Sequence, residues 1–294
     1  MASKSISTRL NALPYLESRR EQLRYNLQEF PWWLPAMALI AIATYFQIFT
    51  QPSYNQAFNF IKVGLTMTIS TTLWAFTAAL GIGLVTGLGR ISSNVVIKNL
   101  ATLYVEFIRG IPMLVLIFFI AFVGVPTVVD GFNRLVAAIA GLGAPIPAQF
   151  LSGMQSRSIP MNLRAIIALS ITYGAFLAEI FRAGIQSIGR GQMEAARSQG
   201  MSYWQAMRYI ILPQAVRNVM PALGNDFVAM LKDTSLVSVL AVRDITQVAK
   251  LYAGHSFRYP EAYTTLTILY LSMTVMLSML VKLMERRLGR NERR

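Results

Sequence analysis

The sequence predicts an all-α, multi-span helical membrane protein. Of its 294 residues 54% are hydrophobic and only 14% charged, the apolar residues gather into six long runs, and the cations sit in short segments between them. A hydrocarbon core of about 30 Å takes roughly 20 helical residues, which the runs at 32–50, 63–88, 100–123, 161–188, 216–242 and 262–283 satisfy. The fifth is interrupted by Asp226, Lys232 and Asp233, so its far end is expected to break into short helices that do not cross.

Taken in order, residues 1–30 are polar and mixed in charge. They lack the short apolar core of a cleaved signal peptide and read as a retained cytoplasmic tail. Residues 31–60 hold a first span, with Trp32 and Trp33 at its mouth as an aromatic belt would place them, and an outer loop. Residues 61–285 hold the other five spans, and 286–294 form a basic C-terminus. The segment before the first span carries Lys4, Arg9, Arg19, Arg20 and Arg24; the second connection Arg90 and Lys98; the fourth Arg190, Arg197, Arg208 and Arg217; the end Lys282, Arg286, Arg287, Arg290, Arg293 and Arg294. The alternate connections carry fewer: none at 51–61, Arg134 and Arg157 at 124–160, and Arg243, Lys250 and Arg258 after the fifth run. By the positive-inside rule both termini are cytoplasmic.

The formal net charge of +14 raises nucleic acid as a partner, but the cations form no continuous stripe and act as topology signals. With no cysteine there is no disulfide framework or thiolate metal site, and His255, the one histidine, cannot build a zinc site alone.

The fourth connection, 191–213, is the most informative stretch. Glu194, Ala195 and Ala196 begin a short helix whose small side chains permit close approach to another surface, and Gly200 supplies the left-handed turn that ends it. Apolar residues from Trp204 to Leu212 then recur at helical spacing, and Pro213 limits their continuation. Spacing alone equally describes a cytoplasmic hairpin packed on its own bundle.

With Glu194, Ala195, Ala196, Gly200, Ile210, Leu212 and Pro213 in place, the loop resembles the EAA motif of the permease subunits of type I ATP-binding-cassette importers. Similarity to the polar amino-acid branch runs from about Gly64 to Glu285, through YVEFIRGIPML (104–114), YGAFLAEIFRAGIQSI (173–188) and LKDTSLVSVLAVRDITQVA (231–249). The resemblance implies a five-span permease core, here with one extra N-terminal span and a longer outer connection at 124–160. It also implies that Glu194, Ala195, Ala196 and Gly200 couple to an ATPase. Its further implications are two ATP-binding-cassette ATPase subunits as partners, a second permease subunit, identical or similar, an extracytoplasmic amino-acid-binding protein, and a bacterial inner-membrane location. No phosphate-cradling G-x-x-x-x-G-K-[ST] loop occurs in the chain, so ATP and Mg belong to the partner ATPase and the chain is a transport subunit, not an enzyme.

Several ionisable residues fall within spans, where facing lipid is costly. Glu106 with Arg109 and Glu179 with Arg182 are spaced to pair along one helix face. Glu179 is read either as part of such a pair or as a path-lining carboxylate that attracts an amino group. Lys232, Asp233, Thr234 and Ser235 offer both signs of charge and neutral hydrogen-bonding groups, as an amino acid requires. The competing reading makes Asp233 or Thr234 the N-cap of a short helix starting at Ser235. Asp226 is read as an interior carboxylate that could also face the path. The glycines of the second span are read as packing positions, Pro112 as a kink in the third span or a gate hinge, and Met273, Met276 and Met279 as bundle packing. An ion-gradient-driven secondary transporter is the rival class, since intramembrane carboxylates also bind protons or sodium.

Overall fold

A computed structural model describes residues 32–142, 153 and 155–289, and every regular element among them is helical. The tail at 1–30 and the last residues of the basic C-terminus, 290–294, lie outside the described residues. The chain divides into two units between Pro52 and Ser53. The first contains α1, Trp33–Thr50, an apolar helix with no acidic residue in its first turn and no basic residue in its last.

The second unit is built from α2 (Pro52–Ile61), a 3₁₀ turn at Lys62–Gly64 and α3 (Leu65–Arg90), followed by α4 (Val95–Arg109), which Asn94 caps through hydrogen bonds from Val96 N and Ile97 N. The expectation of one helix over 100–123 fails at residues 110–112. Pro112 takes an extended conformation (φ −57°, ψ 136°), and with its fixed φ and missing N–H it starts a new helix instead of kinking the old one. That helix runs as α5 (Met113–Phe119), a π turn (Ile120–Gly124) and α6 (Val125–Gly141), so much of the expected outer connection is helix. Together Met113–Gly141 is one of four described helices long and apolar enough to cross a membrane, with Pro52–Arg90, Met161–Gln186 and Tyr259–Glu285. After it come α7 (Met161–Gln186), α8 (Arg190–Ser198), α9 (Tyr203–Ala206), a second π turn (Met207–Ile211), α10 (Leu212–Asp233), a 3₁₀ segment (Thr234–Leu240), α11 (Ile245–Ser256) and α12 (Tyr259–Gly289). The fifth expected span is thus α10, and it gives way to the 3₁₀ segment after Asp233.

The core forms where α3 lies against α7. A Cβ on Gly83 would come 2.7 Å from Leu177 Cβ, one on Gly87 2.8 Å from the Ala178 carbonyl, and one on Gly174 2.6 Å from Ile82 Cγ2. Only glycine permits this approach, and the buried Ala75, Ala79, Ala175 and Ala178 line the same contact. The packing reading of the second span therefore holds for Gly83 and Gly87, whereas a Cβ on Gly81 would meet nothing within 4 Å. Gly184 against Val219 and Gly224 against Val281 seat α10 between α7 and α12.

Two polar arrangements fix the irregular points. At the start of α11, Thr68 Oγ1 accepts from Ile245 N at 3.1 Å and Asp244 Oδ1 from Gln247 N at 2.8 Å, satisfying N–H groups that a helix start leaves free. At the first π turn, Val125 N donates to Ile120 O, and Pro126, next in line, has no N–H for Ala121 O. Arg164 supplies the donor. This arginine, 6% exposed, sends Nη1 to Ala121 O at 2.8 Å, Nε to Ile159 O at 3.1 Å, and Nη2 to the carbonyl and hydroxyl of Ser156.

Candidate functional site

The hairpin begins as α7 ends. Helix α8 closes in a Schellman arrangement: Gly200 adopts φ +85°, its N–H donates to Arg197 O at 3.0 Å, and Met201 N donates to Ala196 O at 3.2 Å. The left-handed turn predicted at Gly200 is therefore present. Ser202 then opens α9 with a capping box, its hydroxyl accepting from Gln205 N while the Gln205 side chain accepts from Ser202 N. Glu194 and Ala195 are exposed on α8, but Ala196 is buried. The two alanines differ in exposure: Ala195 stays at the surface and Ala196 is buried, while both line a small cleft with Met201 and Ile210.

Pro213 does not stop the second helix. The π turn at Met207–Ile211 sends Leu212 N to Met207 O and so accommodates the proline, and the helical path continues to Asp233. Tyr203, Trp204 and Tyr209 stand exposed on this stretch, with Trp204 at 77%.

The charges behind the hairpin form one cluster. Glu179 accepts from Arg182 Nε at 3.0 Å and from Arg182 Nη2, and its other neighbour is Arg90 Nη1, which reaches it from α3 at 2.7 Å. Arg90 Nη2 also meets Glu106 of α4 at 3.2 Å. The Glu179–Arg182 pair is as the spacing predicts, but Glu106 takes Arg90 in place of Arg109, whose guanidinium lies 5.8 Å from the centre of the Phe176 ring. Three helices are tied together where α7 leads into α8.

The stretch 232–235 does not gather around one point. The exposed side chain of Lys232 makes no hydrogen bond or ion pair within the described residues, Asp233 accepts from Tyr173 Oη at 2.7 Å, and Thr234 is buried and donates to Leu231 O. Ser235 is half-buried in the 3₁₀ segment. Neither Asp233 nor Thr234 caps a new helix: Asp233 is the last residue of α10, and the cap that does form is Asp244 on α11.

One face of α10 was not legible as a unit. Asn218, Ala222, Asn225, Ala229 and Lys232 recur at steps of four and three, which brings them onto one stripe. Asn218 donates to Ser187 Oγ at 2.9 Å, beside a cleft of about 460 Å³ lined by Ile180, Ala183, Gly184, Val219 and Ala222. Asn225 and Lys232 are exposed and without a partner in the described chain. An unpaired amide and an ammonium on a helix of an apolar bundle belong against protein or water, not lipid.

Long apolar helices packed through glycines, a polar stripe on α10 beside them and a capped hairpin fit the membrane subunit of a transporter. The chain belongs to the family of binding-protein-dependent transport system inner membrane components, which it matches over residues 79–290. It is thus a multi-pass inner-membrane permease subunit, not an enzyme. It is 35% identical over 245 residues to the probable amino-acid permease protein YxeN of Bacillus subtilis (83% of this chain, 95% of that one). It is 32% identical to the glutamine transport system permease protein GlnP of Escherichia coli (76% and 91%). Among solved structures it resembles an amino acid ABC transporter crystallised with histidines, with a TM-score of 0.63 and 38% identity over 78% of this chain and 94% of that one. The inward-facing MetNI methionine transporter, at 18% identity and a TM-score of 0.53, shares the fold.

Proposed function

We propose that this permease forms half of a translocation pathway for polar or charged amino acids, the other half coming from a second copy or a similar subunit. Two ATP-binding-cassette ATPases bind ATP and Mg on the cytoplasmic side, an extracytoplasmic binding protein delivers the amino acid, and both termini of this chain are cytoplasmic. The names of the relatives, glutamine and amino-acid permeases among them, support the cargo class.

The observation that carries the coupling role is the exposure of Glu194 and Ala195 on a helix locked at its end by Gly200. In this reading α8 enters a groove of the ATPase, Glu194 meets a cation there, and Ala196 keeps the hairpin closed. Motion of α8 passes along α7 to α3 and α4 through Arg182, Glu179, Arg90 and Glu106, which assigns Glu179 to transmission. On the path side, the stripe of α10 supplies Lys232 for the cargo carboxylate, with Asp233 held in place by Tyr173, and Thr234 and Ser235 shape the end of the helix.

In vesicles containing the complete transporter, Glu194→Lys is expected to lower substrate-stimulated ATP hydrolysis about tenfold while insertion is unchanged, as reversal at a charge-assisted contact predicts. Normal stimulated hydrolysis in the variant would sink the coupling role. Uptake driven by an ion gradient without ATP would sink the importer reading and favour a secondary transporter.

A further inference from the structure

Three carboxylates lie on α7 and α10, and the structure sorts them. Glu179 is held by Arg90 and Arg182, and Asp233 accepts from Tyr173. Asp226 makes no hydrogen bond or ion pair within the described residues. It is half-buried, yet its oxygens are not among the sealed, unbonded polar atoms, which are those of Thr172 and Thr265. It lies seven residues before Asp233, on the α7 side of the polar stripe, next in sequence to the unpartnered Asn225.

An unpaired, half-buried carboxylate on a helix of an apolar bundle is costly unless a cation or water meets it. The chain also holds a matching unpaired cation: Lys232, on the other margin of the stripe. Six residues of α-helix separate the two, about 9 Å of rise. The α-ammonium and carboxylate of an amino acid share one carbon and are too close to answer both groups across that distance. A cationic side chain at the end of several methylenes reaches it.

We propose that Asp226 is a specificity-determining residue that receives the side-chain cation of a basic amino acid whose carboxylate rests on Lys232. The assignment builds on the reading of the α10 stripe as the pathway wall and narrows the cargo from polar amino acids to cationic ones. Asp226 acts by charge and position: asparagine keeps its shape and removes the attraction, and glutamate restores it.

Equilibrium binding of radiolabelled arginine and glutamine to the purified permease with its ATPase subunits in nanodiscs, without binding protein, tests this. Leaving out the binding protein keeps its own selectivity from masking the permease's. Asp226→Asn is expected to weaken arginine binding by about tenfold or more, the size of one lost charged contact, with glutamine binding changed less than about twofold. Asp226→Glu is expected to restore the arginine affinity, and Glu179→Gln to leave the ratio of the two affinities as in the parent. Equal loss of both ligands in Asp226→Asn, or loss of the subunit assembly on size exclusion, would overturn the proposal in favour of a structural acid paired across subunits. If the parent protein binds glutamine but not arginine, the cationic class falls and the pathway reading stands. If it binds neither, both fall.

Discussion

The two π turns are built alike and treated differently. Each is followed by one residue and a proline, Val125-Pro126 and Leu212-Pro213, and in each the last N–H before the proline bonds back to the first residue of the turn. The proline then leaves a carbonyl without its donor, that of Ala121 in one and of Arg208 in the other. Ala121 O is buried with its helix, and the Arg164 guanidinium meets it at 2.8 Å. Among the described residues no side chain hydrogen-bonds the carbonyl of Arg208, and the nearby Gln214 amide turns to Ile210 O instead. The difference follows from surroundings. An unmet carbonyl inside an apolar bundle costs free energy and demands a fixed donor, whereas one beside an exposed hairpin is served by water. The stapled turn is a joint held by a side chain within a long apolar helix; the open one lies between the hairpin and α10, where, in the coupling proposed above, a change of angle would carry motion from α8 toward the polar stripe.

The strongest way to break this contrast is Arg164→Met. It leaves one buried and three part-buried acceptors unmet at once and is expected to cost about 3 kcal/mol, read as a fall in thermal unfolding temperature in detergent. An unchanged transition would mean the staple contributes nothing. Adding Pro126→Ala to that variant returns an N–H to the turn, and a double-mutant cycle should recover about 1 kcal/mol; strict additivity would show that the proline and the arginine are unrelated. The smallest stability effect, within about 0.5 kcal/mol, is expected for Pro213→Ala, because Arg208, whose carbonyl it would satisfy, is an exposed residue that water can serve. Its readout is uptake per ATP hydrolysed, which should fall as the hinge stiffens. A large stability change with intact coupling would reverse the roles given to the two turns.

What the sequence disclosed depended on whether the signal was local. Gly200 announces its left-handed turn because few other residues adopt that conformation, and the Ser202–Gln205 spacing marks a helix start. The glycines at 83 and 87 and the apolar runs are equally plain. The π turns were hidden, since a proline after an apolar stretch reads as a stop and nothing in composition tells that a looser turn has absorbed it. Arg164 escaped notice for a different reason: its partners are backbone carbonyls, which leave no trace in residue identity. Glu106 and Arg109 had the spacing of a pair, but Arg90, sixteen positions upstream, was brought nearer by the α3–α4 turn. Asp226 resembled its neighbours until the structure showed that Glu179 and Asp233 were already engaged.

The meeting of Thr68 with Ile245 spans 177 positions of the chain, and a Cβ on the nearby Gly64 would come 2.6 Å from Ile245 N. During synthesis, α2 and α3 leave the ribosome long before α11 exists, so the hydroxyl of Thr68 and the bare face of Gly64 wait for about the last sixth of the sequence. The late arrival of α11 closes the bundle, and a chain truncated before residue 245 lacks the piece that seals this end.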